Sequence, residues 1–373
     1  MRLLSFLTLL LALTSTTASA QGTLWHAGTF RSLPTVSGEL VTFTDGLAHP
    51  TAGGFGKLSS TRAAAFNVFL TALFTAIDAS LVDGNTGVWC DVQAKATAAN
   101  YAVRRFFDTT TGRWFIYGYD TSAFGQAYFF INPYAKRNLV IEVPHEPYDF
   151  NTDIQGARLF TALAARVLII NKEDRCSDPD ATSCSGSTSA CGGYFRESDV
   201  AHQDMSTFHL LHKWLDDQPR PSRFIQLHGM QGSSSDMAEI SDSTSNDYDV
   251  GSISTRFATA LDKYVPRPSA VHSCQEAVGN PPSNLCAVTN VQGRYTNDSA
   301  NNACTTSTSF ASDRFLHIEQ HPSLRDNDNS DGYFWGDIRD ALKDLWPTCD
   351  MNNGATDCTL GGAQSQYSKL ECL

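Results

Sequence analysis

Residues 139–149, Leu-Val-Ile-Glu-Val-Pro-His-Glu-Pro-Tyr-Asp, decide the fold, because a strand runs directly into a polar loop. The first five residues are apolar apart from one glutamate, which is typical of a strand buried on both faces of a sheet. A helix is predicted over 152–165, where Thr152 and Gln155 have the spacing of a capping box. A second apolar strand follows at 166–170. Two buried strands separated by a helix predict an α/β protein.

The same alternation of strands and helices continues to residue 345. Residues 231–249 are rich in Ser and Asp and are predicted to form a flexible loop. The remaining predicted strands are 223–227, 270–273 and 314–319, and the remaining predicted helices are 199–215, 255–264 and 333–345. This pattern predicts an α/β fold with a mostly parallel or mixed sheet flanked by helices.

The region before this alternation has a different character. Residues 21–134 are rich in Thr, Gly and aromatic residues, with one helix predicted over 61–81 and a β-hairpin over 104–117. No catalytic motif is found there, so we expect a mixed, β-rich N-terminal region. The α/β domain is expected to span 135–373.

The first twenty residues have the features of a secretory signal. A positive start precedes an apolar run at 3–13, and Ala18-Ser19-Ala20 provides small residues for cleavage. The run is too short to cross a bilayer, and no later uninterrupted apolar run reaches eighteen residues. Residues 1–20 are therefore predicted to be removed and the protein secreted, extracellular or periplasmic.

The cysteine content fits an oxidising compartment, since an even number of cysteines follows the cleavage site. Their spacings do not match CxxC-type zinc sites, so disulfides are expected, with a pairing that the spacing leaves open. The ten disulfide candidates are Cys90, Cys176, Cys184, Cys191, Cys274, Cys286, Cys304, Cys349, Cys358 and Cys372.

Composition excludes several classes of protein. The chain has 373 residues, of which 42% are hydrophobic and 18% charged, so a disordered protein is excluded. The formal net charge is −12. This acidity argues against nucleic-acid binding and against a polybasic membrane surface.

Three strand ends carry side chains that could perform chemistry. His145, His228 and Glu319 each lie at the carboxyl end of a predicted strand, where open α/β sheets bind ligands. Two histidines and one carboxylate, with a position left open, form a hydrolytic zinc site. Glu319 would then be the catalytic general base that takes a proton from water.

The carboxylate ligand can be chosen among three acids. Glu146 is adjacent to His145 and tends to point elsewhere, whereas Asp149 lies four residues on and can fold back through the proline turn. Asp149 is therefore the predicted ligand, and Asp153 is the alternative. The predicted metal ligands are His145, Asp149 and His228.

The order of these elements resembles a known family over about residues 138–345. With His145, Asp149 and His228 at strand ends and Glu319 on a later strand, it is similar to the zinc amidohydrolases of the N-formylglutamate amidohydrolase and poly-γ-glutamate hydrolase group. The resemblance implies a phosphorylase/hydrolase-like fold, one zinc ion per chain and a glutamate base. Related zinc carboxypeptidases carry His-x-x-Glu, where this sequence has a tyrosine at the glutamate position.

Two arginines and a histidine suggest the substrate. Arg175 and Arg325 follow predicted strands, and guanidinium groups suit carboxylates. His202 could polarise a carbonyl. The predicted function is hydrolysis of an amide or peptide bond next to a carboxylate, in a small molecule or peptide.

The sequence also bears on two other functions. A serine hydrolase is disfavoured because the sequence contains no Gly-x-Ser-x-Gly. The alternative is a secreted, disulfide-bonded binding or surface module without catalysis, which would need no zinc.

Overall fold

One ten-stranded sheet forms the centre of the protein. The computed structural model describes residues 33–50, 54–82, 88–122, 124–231, 236–246, 249–265, 270–276, 285–298, 302–325 and 334–351. The strands are β1 (Thr35–Gly38), β2 (Tyr101–Asp108), β3 (Arg113–Asp120), β4 (Tyr128–Ile131), β5 (Leu139–Val143), β6 (Val167–Ile170), β7 (Arg223–Gly229), β8 (Ala238–Ser241), β9 (Val271–Ser273) and β10 (Phe315–Gln320). Their order across the sheet is β1-β2-β3-β4-β6-β5-β7-β10-β8-β9.

The sheet is mixed, as the sequence predicted. The four central strands β6, β5, β7 and β10 are mutually parallel. The strands β2, β3 and β4 are antiparallel and join the centre where β4 pairs with β6. On the other side, β8 runs antiparallel to β10 and parallel to β9. The expected α/β class is therefore confirmed.

Helices cover both faces of the sheet. They are α1 (Leu40–Asp45), α2 (Ser60–Val82), α3 (Val88–Ala98), α4 (Thr152–Ala162), α5 (Thr207–Asp216), α6 (Ile253–Leu261), α7 (Val291–Thr296), α8 (Pro322–Arg325) and α9 (Phe334–Leu345). Helices α2, α3 and α5 pack on one face, and α1, α4, α6 and α9 pack on the other. Side chains alternate along β5 accordingly, with Val140 in the first layer and Ile141 in the second.

The N-terminal region contributes to the same sheet. The predicted helix and hairpin are present, the hairpin being longer than expected, as β2 and β3. Helix α2 is long and apolar enough over Ser60–Asp78 to cross a membrane by length and composition alone. However, Phe66, Phe69 and Leu70 are fully buried in the core, which is the environment of a core helix.

Three local predictions differ from the structure. Strand β8 lies inside the predicted loop 231–249, because its four residues are buried against β10. Helix α5 begins only at Thr207, where the Ser206 hydroxyl accepts from a backbone N–H of the first turn. No capping box forms at α4, because the Thr152 hydroxyl donates to the Asp149 carbonyl instead.

Disulfides link the loops at the carboxyl edge of the sheet. The pairs are Cys176–Cys191, Cys184–Cys304 and Cys274–Cys286. Cys90 and Cys349 are also disulfide-bonded. The predicted signal segment 1–20, Cys358 and Cys372 lie outside the described residues.

Candidate metal centre and active site

The site is built on the face of the sheet that α5 covers, at the carboxyl ends of the central strands. Alternate residues of β7 share this face, so apolar Phe224 is followed by Gln226 and then His228. In β10, His317 and Glu319 stand beside them, because His317 pairs with Gln226 and Glu319 with His228 in the parallel register. The face thus changes from apolar to polar along the strands, and the register places Glu319 next to His228.

Three ligand atoms converge at this edge. His145 Nδ1 lies 3.4 Å from Asp149 Oδ2, His228 Nδ1 lies 3.6 Å from the same oxygen, and the two nitrogens are 3.1 Å apart. Tetrahedral zinc with bonds of about 2.0–2.1 Å holds its ligand atoms about 3.4 Å from one another. All three residues are buried. The spacing therefore fits a zinc ion.

Of the three acids considered as the metal ligand, Asp149 is the one whose carboxylate is not paired with a lysine. Asp149 Oδ2 is buried and has no hydrogen-bond partner among the described residues. The two alternatives are engaged elsewhere, since Lys172 Nζ lies 2.6 Å from Asp153 Oδ2 and 3.5 Å from Glu146 Oε1. The structure brings Asp149 to the histidines, and the other two acids pair with a buried lysine.

Asp199 holds the Nε2 atom of His145, which points away from the triad. Its Oδ1 lies 2.9 Å from His145 Nε2 and 2.9 Å from His202 Nδ1, and its Oδ2 accepts from Arg175 Nε and Nη2. Burial alone would raise the pKa of Asp199, but Arg175 and His202 hold it well below its ordinary value. The charged carboxylate accepts from His145 Nε2, so Nδ1 is the nitrogen that faces Asp149 and His228, and Arg175 Nη1 lies 3.2 Å from it.

The neutral side-chain amide of Gln226 holds the Nε2 atom of His228. His228 Nε2 donates to Gln226 Oε1 at 2.7 Å, and Gln226 Nε2 donates to Glu142 Oε2 at 3.0 Å. Glu142 Oε1 in turn accepts from His212 Nδ1 at 2.8 Å. Burial lowers the pKa of His228 well below its ordinary value, so its ring is neutral and can ligate. This chain of buried groups orients the His228 ring.

Glu319 lies in the cavity beside the triad. Burial raises its pKa to about 8, and the negative charge of Asp149 adds to that effect. His317 Nε2 is 3.6 Å from Glu319 Oε1, and burial lowers the pKa of His317 to about 3. Glu319 thus has a neutral imidazole beside it and an environment that favours accepting a proton.

A cavity of about 660 Å³ opens over these residues. His145, His228 and Glu319 line its floor, together with Arg175 and His202. Its walls are segments that two disulfides tie down, Cys184–Cys304 and Cys274–Cys286. The predicted base and both predicted histidine ligands are therefore open to one shared space.

The predicted substrate-binding residues divide into two groups. Arg175 and His202 line the cavity. Arg325 is 4% exposed, packs against Gly229 and donates from Nη1 to the Phe150 carbonyl at 2.9 Å. Arg325 is thus not among the residues that line the cavity, and the structure does not bring the two arginines together on a substrate.

Sequence reasoning missed Asp199 and Gln226, which hold the Nε2 atoms of the two candidate ligand histidines. Gln226 lies two residues before His228 on one strand, so the period-two rule could have placed both side chains on one face. Asp199 lies in an irregular segment just before the 3₁₀ turn Val200–His202, where no periodicity marks it.

Comparison with known proteins gives little further identification. No protein-family model matches the chain, and no curated protein matches it. Among solved structures, it is similar to one from Shewanella denitrificans OS-217 named "Putative carboxypeptidase A", with 13% identity and a TM-score of 0.34. The match covers 68% of this chain and 65% of that one, less than two thirds of the neighbour. A likeness of this degree establishes neither a shared family nor a shared activity.

Proposed function

We propose that this protein is a secreted zinc-dependent hydrolase that cleaves amide or peptide bonds. The observation that carries the proposal is the convergence of His145 Nδ1, Asp149 Oδ2 and His228 Nδ1 within 3.1–3.6 Å. Buried imidazoles and a carboxylate at such separations form a hydrolytic zinc site when one metal position stays open to a cavity.

The residues around the triad supply the rest of the chemistry. A zinc ion held there supplies Lewis-acid chemistry, which activates water and polarises a carbonyl. Glu319 takes a proton from the attacking water and passes it to the leaving nitrogen. Arg175 Nη1 lies 3.2 Å from His145 Nδ1, so this N–H is placed to stabilise negative charge that develops on the carbonyl oxygen.

The structure gives less information about the group that lies next to the scissile bond in the substrate. The expectation of a neighbouring carboxylate rested on Arg175 and Arg325, and of these only Arg175 lines the cavity. The cavity volume of about 660 Å³ suits a small molecule or a short peptide segment.

Secretion is proposed from two observations. The first twenty residues have the pattern of a cleavable signal. The three disulfides Cys176–Cys191, Cys184–Cys304 and Cys274–Cys286 fit an oxidising compartment.

Metal content tests the proposal directly. We expect about one zinc per chain by elemental analysis of untagged protein purified without chelator. His228→Ala should lose the metal, whereas His272→Ala, which changes a histidine outside the triad, should keep it. Metal-free protein in both the parent and His272→Ala would contradict the proposal and favour the binding module.

A further inference from the structure

We propose that Thr289 is a nucleophile that accepts an acyl group from small esters, with His202 as the base that activates it. The proposal goes beyond the zinc-dependent reaction, because it concerns other side chains of the same cavity. Both residues line that cavity, so the threonine hydroxyl can meet a ligand that enters it.

Three side chains form a continuous hydrogen-bonded series. Asp199 Oδ1 lies 2.9 Å from His202 Nδ1, and His202 Nε2 lies 3.2 Å from Thr289 Oγ1. A hydroxyl within reach of an imidazole, whose other nitrogen a third group orients, is the arrangement that activates nucleophiles in acyl transfer. The nucleophile is therefore Thr289, the base is His202, and Asp199 is the positioning residue for that base.

The charge of Asp199 determines which nitrogen of His202 can take a proton. Although burial would raise it, the pKa of Asp199 is held well below its ordinary value by Arg175, so the ionised carboxylate can only accept. Burial lowers the pKa of His202, so its ring is neutral. His202 Nδ1 then donates to Asp199, and Nε2 accepts from the Thr289 hydroxyl. This tautomer suits a base, and it replaces the polarisation of a carbonyl as the role of His202.

Packing holds the His202 ring in the orientation that this series requires. Phe195 stacks on the ring, with centroids 3.4 Å apart and planes 7° from parallel. The Thr182 hydroxyl donates to the His202 carbonyl at 2.9 Å, which anchors the backbone of the same residue. A base that is already held in place loses little freedom when it reacts.

Thr289 is held by its own contacts and by its neighbours in the chain. Its Cγ2 methyl lies against Gly186, where an added Cβ atom would come within 2.6 Å of it. Asn290, the next residue, caps helix α7 and donates from its side-chain amide to Gln226. Cys286, three residues earlier, is in a disulfide. These contacts fix the threonine hydroxyl relative to His202.

The reaction needs no group other than the ester and water. Thr289 Oγ1 forms a bond to the acyl carbon while His202 Nε2 takes the hydroxyl proton. The bond to the leaving alcohol then breaks, and the alcohol receives that proton from His202. Water attacks the threonine ester with His202 again as the base, which releases the acid and restores the hydroxyl. A cavity of about 660 Å³ admits a small ester.

Asp199 is shared with the candidate metal centre, so its variants cannot test either site alone. Its Oδ1 also lies 2.9 Å from His145 Nε2. Thr289 and His202 are not among the proposed metal ligands. Variants of these two residues therefore separate the nucleophile from the zinc site.

Acylation by p-nitrophenyl acetate tests the proposal on the purified protein. We expect a burst of about one p-nitrophenolate per chain, and an acetyl group on Thr289 in peptides from acid-quenched protein. Water activated by a metal would release p-nitrophenolate without an acetylated threonine. Absence of the acetyl group from Thr289, with or without turnover of the ester, would overturn the proposal.

Three threonine variants locate the nucleophile. Thr289→Val should lose the burst, because valine keeps the shape and lacks the hydroxyl, whereas Thr289→Ser should keep it. Thr188→Val is the matched control and should keep the burst, since Thr188 also lines the cavity and accepts from the Ala190 N–H. A burst that survives in Thr289→Val, or that is lost in Thr289→Ser or Thr188→Val, would contradict the assignment.

A variant of the base completes the test. His202→Gln should slow the acetylation of Thr289 about 100-fold, since an amide cannot take the hydroxyl proton. An unchanged rate would show that His202 does not activate Thr289 and would overturn the proposal. Zinc is measured on the same samples. Metal-free protein that forms the acetyl adduct would contradict the zinc hydrolase alone, and zinc-loaded protein without the adduct would contradict the nucleophile alone.

Discussion

Both histidines of the triad present Nδ1 to the site because a buried partner holds the Nε2 atom of each ring. The two partners differ in charge. A charged carboxylate, Asp199, holds His145, whereas a neutral amide, Gln226, holds His228. Outer partners of this kind fix the tautomer and the ring orientation of a metal ligand. The Gln226 amide is itself oriented by Glu142 and His212, both fully buried. Orientation of one ligand therefore depends on groups in the core of the protein.

Gln226→Met should weaken zinc binding without touching a ligand. The change removes the acceptor for His228 Nε2, and loss of such a partner costs about 10–100-fold in metal affinity. Zinc affinity would be measured by competition with a chelator. Gln126→Met is the matched control, because Gln126 is buried and hydrogen-bonded to Gly56 and Thr207 in another part of the molecule. Equal zinc affinity in both variants would remove Gln226 from the site.

Glu319→Gln should abolish turnover while zinc content is kept. The amide cannot accept the proton of the attacking water, and the three ligands are unchanged. Activity and zinc would be measured on the same sample. Substantial remaining activity would show that Glu319 is not the general base.

At the level of residues, the strand-end rule predicted that His145, His228 and Glu319 lie at one edge of the sheet, and the three side chains line one cavity. It could do so because parallel strands bring their carboxyl ends to one edge. The rule could not show that Arg175 lines the cavity and Arg325 does not, since both residues follow strands in the sequence. Their difference depends on packing, in which Arg325 is buried against Gly229 and Phe150.

Among the elements, strands with continuous apolar runs were predicted well, whereas β8, which carries a glutamate and a serine, was not. Strands β5, β6, β7 and β10 agree with their apolar runs within one or two residues. Strand β8 has four residues, Ala-Glu-Ile-Ser, whose pattern is too short to stand out in a Ser-rich region. Its burial comes from pairing with β10, which is a long-range contact that local sequence does not encode.

Helix α9 carries an acid in an unfavourable place. Burial raises the pKa of Asp337 to about 6, and the nearby Asp340 adds to this. Within the part of the chain that the structure describes, Asp337 Oδ2 has no hydrogen-bond partner. The folded state therefore binds more protons than the unfolded state between the ordinary pKa of 3.8 and about 6. Stability conferred by this group is present below that window and is lost as pH rises through it.

Asp337→Asn should therefore stabilise the protein at pH 7 and above. Because the side chain is partly exposed, we expect a gain below about 1 kcal/mol. The gain should disappear below about pH 4, where both states of the parent are protonated. Denaturant unfolding at pH 4 and pH 8 would measure this, and a larger gain at the lower pH would contradict it.

For the whole molecule, the loops that form the cavity walls are held in place by a disulfide and by hydrogen bonds from a buried arginine. The Cys184–Cys304 disulfide joins positions 120 residues apart. Arg294, which is 2% exposed, donates to Ser185 Oγ and to the carbonyls of Ala303 and Cys304. These bonds hold a polar loop that has little apolar surface of its own.

Replacing Cys184 and Cys304 by serine should cost more stability than replacing Cys274 and Cys286. On the chain-entropy model, a loop of this length gives about 5 kcal/mol and one of twelve residues about 3 kcal/mol. The free energy of unfolding of the two double variants would be compared by denaturant titration. An equal or smaller loss for Cys184/Cys304 would show that the hydrogen bonds of Arg294 hold the wall without the disulfide.

The antiparallel pairing of β4 with β6 limits how far the protein can be truncated from its N-terminus. A protein that begins at residue 135 would keep the candidate metal ligands but remove β4 from the flank of β6, whose four residues Val-Leu-Ile-Ile are fully buried. That strand would become an open, apolar edge, which is a template for intermolecular pairing. Residues 135–373 are therefore expected to aggregate when they are produced without the N-terminal strands that cover β6.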